Sequence, residues 1–446
     1  LRLRMRHRMS QSINLYNQLA KNKLFKKSVN FDLKRIKLIL KKLNHPEEKM
    51  KNVINIIGSD GKYSLLTSLK YFIEGNKQKT SAYISPSLKD IRERFWMGNN
   101  FLNYKEIKNT IKIIVKQKIN LTIFEALTII FIINAAKKNN EYNLIEAGAL
   151  FAKDSTNVFN FPRIQVVVNI NKQHLNFLKK KTLNEVIYQK VGFLSNFTNI
   201  YVGKQKPLVL KKIKQLLRKN NSLINYSNSW KLIKFNNSHY YKDKNNKIKL
   251  NTKYIHSKGL LENLCLAIKI ALDLKIDKKI IKKTISKIKF QGRIDYIPKG
   301  RLSKKLFNNE KLLIDGCHSD VSAKNLFNYL KTLKIPIYGI WAMTKNKDPN
   351  KFLKQFYGIF KKIVTIPIEN ESAALSKELL LKIAKKNGYI SDTAKNFEEA
   401  LKKISSKKRK IICVFGSLYL CGNILNKNEI FSFIQETIFD FVEAPT

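Results

Sequence analysis

Short runs of β-branched and other apolar residues alternate with longer segments of helical period along much of the chain. The clearest run, residues 52–57, reads Asn-Val-Ile-Asn-Ile-Ile. It is followed by a loop with two glycines, Gly58 to Ser64, and then by helical periodicity to about Phe72. Comparable apolar runs lie at residues 80–84, 143–147 and 164–170. Strands alternating with helices are typical of a parallel sheet with crossover helices, so the pattern predicts an α/β domain.

The alternation restarts in the last third of the chain and predicts a second, smaller α/β domain. Its strands are predicted at residues 312–315, 335–341, 362–366 and 410–415, with helices around 321–333, 349–360 and 376–386. Pro298 and Gly300 interrupt the periodicity, which is typical of a domain boundary. We therefore predict an N-terminal extension at 1–30 without assigned structure, a first domain at 31–298 and a second at 299–446.

Two segments depart from this alternation. Residues 204–253 are rich in Asn, Lys and Ser and are predicted as loops and edge strands. Residues 119–136 are apolar enough to suggest a membrane span, but they contain Asn120, Glu125 and Asn134 and are of borderline length. The sequence therefore favours a buried helix and no membrane partner.

Composition adds a question about charge. The chain has 446 residues, of which 44% are hydrophobic, so it is long enough for two or three folded domains and is not disordered throughout. Its 86 Lys and Arg against 32 Asp and Glu give a net charge of +54, which suggests a polyanionic partner. The basic residues are nearly all Lys, accompanied by Asn and Ile. A protein that binds phosphate groups would more often use Arg, whose planar guanidinium binds phosphate through two hydrogen bonds. Compositional drift is the favoured explanation, and no obligate nucleic acid is predicted.

The cysteines and the first residues carry little chemistry. No two cysteines form a C-x-x-C pair, so neither a disulfide scaffold nor a zinc ribbon is indicated, and a reducing cytoplasm fits best. The four are Cys265, Cys317, Cys413 and Cys421. The arginine-rich start, Leu1 to Met9, resembles a remnant of a targeting segment but is short, and we assign it no function.

The loop Gly58 to Ser64 is the strongest chemical signal. A glycine loop between a strand and a helix offers backbone N–H groups and the positive end of the helix to an anion, and a lysine within it reaches terminal phosphates. Lys62 and Ser64 meet the need for a cation and for a hydroxyl near Mg²⁺, although Tyr63 stands where a small residue is usual. The context predicts nucleotide phosphate binding.

Several further motifs make the prediction specific, because they resemble in order those of the folylpolyglutamate synthase/dihydrofolate synthase family, within the Mur-ligase superfamily. That family writes the loop as G-T-N-G-K-G-S, followed by S-P-H-L and E-R, then L-T-x-F-E, E-V-G, D-A-T-N, E-K-A-G, G-R, D-G-A-H-N, K-D and G-S-L. The corresponding segments here begin at Gly58, Ser85, Glu93, Leu121, Glu146, Asp154, Gln189, Gly292, Asp315, Lys347 and Gly416.

The resemblance implies an ATP-dependent ligase with a P-loop ATPase domain and a Rossmann-like C-terminal domain. The γ-phosphate of ATP would activate a carboxylate of dihydropteroate or folate as an acyl phosphate, which the amine of glutamate then attacks. Positioning and charge neutralisation dominate such phosphoryl transfer. The implied enzyme is cytoplasmic and monomeric and closes its two domains on ATP.

The resemblance also implies roles for individual residues. ATP would be bound by Gly58, Ser59, Asp60, Gly61, Lys62, Tyr63, Ser64, Asn263, Arg293 and Asp315. Two Mg²⁺ ions would be held by Ser64, Ser85, Glu146, His174 and Lys190, with Lys190 carbamylated by CO₂. The catalytic residues would be Lys62, Lys190 and His318. The pterin would contact Phe124 and Asp154, and glutamate would contact Arg94, His318 and Ser417. From its position alone, Phe124 is equally well explained as a core aromatic of the 119–136 helix.

The chain departs from the family in places that concern the folate substrate more than the reaction type. Residues 148–153 read Gly-Ala-Leu-Phe-Ala-Lys where the family has G-L-G-G-R-L. Ser87 replaces the usual histidine, Gln173 an aspartate and Ser319 an asparagine. Three alternatives stay open: another amino-acid ligase of the Mur type, a basic P-loop ATPase that binds nucleic acid, and a homologue without catalysis.

Overall fold

The computed structural model describes residues 15, 19, 21–26, 31–298, 300–345 and 347–428, and the arginine-rich start, Leu1 to Met9, lies outside these ranges. The strands are β1 (Phe25–Lys26), β2 (Val53–Ile57), β3 (Thr80–Tyr83), β4 (Phe95–Met97), β5 (Leu121–Thr122), β6 (Tyr142–Glu146), β7 (Ile164–Val167), β8 (Asn199–Val202), β9 (Leu223–Tyr226), β10 (Trp230–Phe235), β11 (Ser238–Asp243), β12 (Lys247–Lys249), β13 (Asp295–Tyr296), β14 (Glu310–Asp315), β15 (Ile337–Trp341), β16 (Phe360–Thr365), β17 (Ser391–Thr393) and β18 (Lys410–Phe415).

The α-helices surround these strands. They are α1 (Leu33–Lys42), α2 (Lys62–Gly75), α3 (Tyr104–Lys116), α4 (Ile123–Lys138), α5 (Leu183–Val191), α6 (Pro207–Leu217), α7 (Lys258–Asp273), α8 (Lys278–Ile285), α9 (Asp320–Leu330), α10 (Pro349–Lys354), α11 (Lys377–Lys386), α12 (Phe397–Ile404) and α13 (Leu418–Asn428).

The chain divides into two compact units. One contains the described residues up to Lys253 together with Leu260–Ile288, and the other contains Tyr254–Gly259 and the described residues from Lys289 onwards. The predicted boundary, between residues 298 and 299, lies after β13. Because β13 pairs with β14, residues Asp295 and Tyr296 belong to the sheet of the second unit, although the predicted boundary assigned them to the first domain.

A seven-stranded sheet forms the centre of the first unit, in the order β4-β3-β6-β2-β7-β8-β9. All neighbours are parallel except β3 and β4. The apolar runs predicted as strands form β2, β3, β6 and β7, which confirms the α/β assignment. The chain leaves β2 for β3 on one side and later occupies β7 on the other, so the sheet has a switch point at the carboxyl end of β2, where α/β sheets bind ligands.

Helix α4 confirms the expectation of a buried helix. Twelve of its sixteen residues are buried, and Thr122 and Glu125 form a capping box at its start. Arg35 pairs with Glu125 at 2.9 Å, which accounts for a carboxylate at the edge of an apolar segment. Within the described ranges, no helix is both long and apolar enough to cross a membrane.

The prediction for residues 204–253 was wrong in one part. Residues 207–217 form helix α6, with Pro207 in its first turn and Val209, Ile213 and Leu217 buried along one face. Pro at this position is preorganised for a helix, and apolar residues at a spacing of four give the buried stripe. The remainder forms edge strand β9 and a separate antiparallel sheet, β10-β11-β12.

The second unit contains a six-stranded sheet in the order β13-β14-β18-β15-β16-β17. All four strands predicted for this domain are present, and only β13 runs antiparallel to its neighbour. In the same unit His256 stacks on Tyr329, with ring centroids 5.5 Å apart, and meets the edge of Tyr296 at 5.6 Å. Burial lowers the pKa of His256 because the charged imidazolium is poorly solvated there.

The four cysteines are buried and form no disulfide. Burial raises the pKa of each thiol, so these groups are protonated and inert as nucleophiles.

Candidate active site

The glycine loop lies between β2 and α2 and requires glycine at two positions. Gly58 has a φ of +150° and Gly61 a φ of +96°, both in the region that side chains disfavour. A Cβ on Gly58 would lie 2.4 Å from Cγ2 of Val168, and one on Gly61 would lie 2.3 Å from Nδ2 of Asn263. The loop leads into the first turn of α2, whose amide groups point towards an anion at the helix end.

The segment after β7 holds this loop from the side. The Ser59 amide donates to the Asn169 carbonyl at 2.8 Å, and the Ser59 hydroxyl donates to the Asn171 carbonyl at 3.2 Å. The Asn171 amide in turn donates to the Ser59 hydroxyl at 3.1 Å. The amide of Ser59 is therefore used to fix the loop, which leaves the amides of the helix start as the candidate phosphate ligands.

Asp60 places a carboxylate in a loop that should bind an anion. Hydrogen bonds from two side-chain amides stabilise this carboxylate. Its Oδ2 accepts from Nδ2 of Asn171 at 2.5 Å and from Nε2 of Gln173 at 3.0 Å. In the resembling family an asparagine stands at the position of Asp60 and an aspartate at that of Gln173. The two departures are therefore linked: amide and carboxylate have exchanged places in one contacting pair.

Ser64 and Asn263 fix the other side of the loop. The Ser64 hydroxyl donates to the Gly61 carbonyl at 3.0 Å and accepts from Nδ2 of Asn263 at 2.9 Å. Tyr63, between Lys62 and Ser64, is half-buried. Asn263 on α7 thus lies at the glycine loop.

Lys62 and Glu146 form a buried ion pair at the carboxyl edge of the sheet. Parallel pairing sets Glu146, the last residue of β6, opposite Ile56 of β2. Nζ of Lys62 lies 3.7 Å from Oε1 of Glu146, and their side chains are 12% and 5% exposed. Nζ also donates to the Gly58 carbonyl at 3.4 Å. The Ser85 amide donates to Oε2 of Glu146 at 3.2 Å. A cation, a carboxylate and the loop therefore converge.

Lys190 reaches the back of the same loop from α5. Its side chain is 1% exposed, and Nζ donates to the Gly58 carbonyl at 2.8 Å and to the Ala149 carbonyl at 2.6 Å. Burial, reinforced by repulsion from Lys62, lowers the pKa of Lys190 to about 7. A substantial neutral fraction of this amine therefore exists near neutral pH.

Three of the predicted metal ligands are hard oxygen donors of the kind that Mg²⁺ prefers. Ser64 and Glu146 are buried and Ser85 is half-buried. His174 follows β7 with a φ of +58°, and its ring stacks on Phe177 at 6.1 Å. Among described residues, the one group of three His, Cys, Asp or Glu ligand atoms within 4.8 Å is His45, Glu47 and Glu48, none of which was predicted. The joint coordination of a metal by the predicted ligands stays a prediction.

Phe124 and Asp154, the residues implied for the pterin, converge on Gly148. A Cβ on Gly148 would lie 2.3 Å from Oδ2 of Asp154 and 3.0 Å from the Phe124 ring. Asp154 is 1% exposed, and burial raises the pKa of its carboxyl, although hydrogen bonds from Thr156 oppose this. Phe124 is half-buried at the start of α4, so it is less enclosed than a core aromatic.

Tyr83 is a candidate that sequence reasoning missed. It is fully buried, its ring lies 6.1 Å from that of Phe124, and its hydroxyl contacts both Arg94 and Thr128. Burial raises the pKa of Tyr83 to about 12, despite the nearby Arg94 guanidinium. It links Arg94, the predicted glutamate ligand, to Phe124. Its position near the end of the strand predicted at residues 80–84 was the available signal.

The second unit carries its predicted residues at the carboxyl ends of two neighbouring strands. Asp315 of β14 pairs in register with Phe415 of β18, so Ser417, 3% exposed, follows at the same edge. Asp315 accepts from the amides of Ile294 at 2.8 Å and Cys317 at 2.7 Å. Burial raises the pKa of its carboxyl, and the nearby charge of Arg293 and these hydrogen bonds oppose that rise.

His318 and Arg293 both lie close to Gly316, in the turn that follows β14. Nδ1 of His318 is 2.8 Å from the Gly316 carbonyl, and Nη1 of Arg293 donates to the Gly292 carbonyl at 3.0 Å. A Cβ on Gly316 would lie 2.9 Å from Nη1 of Arg293. Contacts of Asp315, Arg293, His318 and Ser417 with ligands stay predictions.

Residues 299–427 match the family described as "Dihydrofolate synthetase, C-terminal domain". A dihydrofolate synthetase of Saccharomyces cerevisiae is 22% identical over 433 residues, which cover 89% of this chain and 98% of that protein. The folylpolyglutamate synthase of Mycobacterium tuberculosis, solved with ADP, has a TM-score of 0.81 at 17% identity and covers 94% of this chain and 98% of its own.

A bifunctional folylpolyglutamate synthase/dihydrofolate synthase, solved with Mn, AMPPNP and L-glutamate, has a TM-score of 0.79 at 16% identity. It covers 93% of this chain and 97% of its own. At these identities the solved structures establish a shared fold only. The C-terminal domain match and the yeast relative are similarities in amino-acid sequence. Together with the ordered motifs, these matches show that the chain is similar to the folylpolyglutamate synthase/dihydrofolate synthase family.

Proposed function

We propose that this protein is an ATP-dependent ligase that joins L-glutamate to a folate-type carboxylate. The observation that carries the proposal is the convergence of Lys62, Glu146 and Lys190 on one glycine loop at the switch point of the sheet. The substrate class is inferred from the relatives of this chain, and the residues that would contact phosphate are inferred from the geometry of the loop.

The proposed reaction has two steps. In the first, an oxygen of the substrate carboxylate attacks the γ-phosphorus of ATP, the bond to the β,γ-bridging oxygen breaks, and ADP leaves. In the second, the neutral amine of glutamate attacks the acyl carbon, the amide bond forms, and inorganic phosphate leaves while the nitrogen loses a proton. Lys62 and the amides at the start of α2 would hold and neutralise the transferred phosphoryl group, which is the main catalytic demand.

The residues at the loop fit a divalent metal. Ser85 and Glu146 offer oxygen ligands at the carboxyl edge of the sheet, and Ser64 offers a hydroxyl in the first turn of α2. His174 is the nitrogen ligand that the family resemblance adds. Bound Mg²⁺, two ions by that resemblance, would supply neutralisation of phosphate charge. Glu146 already lies beside a cation, the ammonium of Lys62, so its carboxylate is suited to a positive neighbour.

We further propose that Lys190 is carbamylated. Only a neutral amine attacks CO₂, and the lowered pKa of Lys190, about 7, supports the presence of that form. The new N–C bond, formed with loss of one proton, replaces an ammonium that repels Lys62 with an anion that attracts it. Carbon-13 NMR with labelled bicarbonate would show a carbamate signal that is absent in Lys190→Met. No signal in the folded wild type would refute this assignment.

Dihydropteroate is the proposed acceptor. The matched C-terminal family and the full-length yeast relative both carry the name dihydrofolate synthetase, which supports this activity over chain extension of folates already carrying glutamate. The cytoplasm is the proposed compartment, because four buried unpaired thiols suit a reducing environment. A monomeric state remains a prediction.

The test measures glutamate-dependent ADP release with dihydropteroate and, separately, with tetrahydrofolate. We expect stimulation by dihydropteroate and loss of turnover in Lys62→Met. Stimulation by tetrahydrofolate alone would support the proposed ligase activity but refute dihydropteroate as the acceptor. Absence of stimulation by either would overturn the ligase itself. The control is Lys108→Met, which removes an exposed lysine on α3.

A further inference from the structure

The antiparallel sheet β10-β11-β12 of the first unit has one face that the proposed ligase does not use. Strand register sets Lys231, Lys242 and Lys247 directly opposite one another across the three strands. The next row on the same face contains Ile233, Tyr240 and Lys249. The opposite face carries Trp230, Tyr241 and Ile248, which are 5%, 0% and 1% exposed. The sheet thus has a buried apolar face and a basic one.

The lysine row is electrostatically unfavourable by itself. Directly opposed side chains on neighbouring strands have Cβ atoms about 5 Å apart, and like charges there are destabilising. Lys231, Lys242 and Lys247 are exposed, and in the part of the chain that the structure describes no carboxylate pairs with them. A bound polyanion would remove this repulsion.

Acidic residues are nearly absent from the surrounding sequence. Residues 204–253 contain fourteen Lys or Arg and a single acidic residue, Asp243. The Asp243 carboxylate belongs to the other face: it accepts from the Tyr241 hydroxyl at 2.5 Å and from the Asn246 amide at 2.7 Å. Four of the five lysines in these strands lie on the basic face, Lys234 being the exception, and no acidic residue of the three strands shares that face.

A cavity of about 430 Å³ extends this face towards α8. It is lined by Tyr240, Lys247, Lys249, Asn251 and Lys282. The Lys247 ammonium lies 5.1 Å from the centre of the Tyr240 ring and 5.8 Å from that of Phe235, which is 61% exposed. One lysine ammonium therefore lies near two aromatic rings, one of which lines the cavity.

We propose that this basic sheet face, together with the cavity beside it, binds single-stranded nucleic acid. Lysines that follow a groove pair with successive phosphates, and aromatic side chains on a sheet provide stacking platforms for unpaired bases. Phosphate accounts for the charge and bases account for Tyr240 and Phe235, which an acidic peptide would not require. The proposal is independent of the ligase reaction, since none of these residues belongs to its site.

The test uses fluorescence anisotropy of a labelled single-stranded RNA with the full chain over a series of salt concentrations. The variant K231Q/K242Q/K247Q is compared with K105Q/K108Q/K112Q, which removes the same charge from exposed lysines of α3. Each phosphate contact on a single strand contributes about 0.7 to the salt slope, so the first variant should lower the slope by about 2 and the second by much less. Tyr240→Leu should weaken binding about 5-fold or more, the loss of one stacked base.

Equal slopes for the two triple variants would overturn the proposal, because binding would then reflect net charge alone. Equal affinity for inorganic tripolyphosphate and for RNA would also overturn it, by reassigning the cavity to a small anion. Unchanged glutamate-dependent ADP release and an unchanged thermal melting curve in K231Q/K242Q/K247Q are expected, and they separate this surface from the ligase site and from a folding defect.

Discussion

Replacing Lys62 and Glu146 singly and together separates their mutual stabilisation from their role in turnover. The variants are Lys62→Met, Glu146→Gln and the double variant. Each single change leaves one buried partner without its counterpart, whereas the double change removes both charges. The free energy of unfolding and the rate of glutamate-dependent ADP release should therefore change differently across the three variants.

The magnitude follows from the distance and burial of the pair. At 3.7 Å, and with an effective dielectric constant of about 20, the attraction is about 4 to 5 kcal/mol. Desolvation of both groups offsets much of it, so we expect Lys62→Met to lower the free energy of unfolding by about 3 kcal/mol. The double variant should recover a coupling energy of about 2 kcal/mol relative to the sum of the single changes.

Urea unfolding in the absence of nucleotide measures these differences. The chain has three tryptophans, of which Trp96 and Trp230 lie in the first unit and Trp341 in the second. In a Trp341→Phe background, intrinsic fluorescence therefore reports on the unit that contains the ion pair. Glutamate-dependent ADP release is measured on the same preparations.

The expected pattern is recovery of stability without recovery of turnover. The double variant should be as inactive as Lys62→Met, because the glycine loop still lacks its cation. A coupling energy of zero would refute the buried ion pair. Turnover in the double variant close to that of the wild type would refute the placement of Lys62 at the transferred phosphate.

Three further changes test other parts of the structure. Gly61→Ala should abolish nucleotide binding measured by calorimetry, because the φ of Gly61 is +96° and the added Cβ collides with the Asn263 side chain of α7. The control is Gly388→Ala, where φ is +79° and no atom lies within 4 Å of the added Cβ; it should cost only about 1 to 2 kcal/mol in backbone conformation and leave binding intact. Gln173→Asp should impair turnover by placing a second carboxylate beside Asp60, and Asp60→Asn in the same chain should restore it; failure of the double variant would contradict the exchanged pair. Burial lowers the pKa of His256 in the folded state, so on acidification the unfolded chain binds a proton first. The stability of the second unit should therefore fall as pH drops through about 6.5. Denaturation at several pH values measures this slope, which should be absent in His256→Phe.

Local sequence signals predicted the phosphate loop well. The β-branched run before Gly58, the glycines and the apolar period after Lys62 act over neighbouring residues, and the structure gives a strand, a loop and a helix there. The same kind of signal was present for α6 but was obscured by its lysines. Pro207 and the spacing of its buried residues are helical, while the overall polarity of the segment suggested loops.

Contacts between distant segments were beyond sequence reasoning. Asp60 and Gln173 are separated by more than one hundred residues, and only the pairing of β2 with β7 brings them together. The same holds for Asn263 against Ser64. The sequence analysis named Gln173 as a departure from the family but not Asp60, and the fold shows that the two residues form one contacting pair.

The altered segment after Glu146 shows which departures concern the chemistry. Gly148 is retained, and no side chain fits there between Asp154 and Phe124. The next residue, Ala149, contributes its backbone carbonyl to Lys190, which any residue supplies, so a change of its side chain leaves this contact intact. Leu150 and Phe151 stand where the family has glycines, and they are 4% and 1% exposed within an apolar cluster of the first unit. Because these two side chains fill the interior, the lost glycines alter packing behind the loop while the contacts of Gly58 with Lys62 and Lys190 persist.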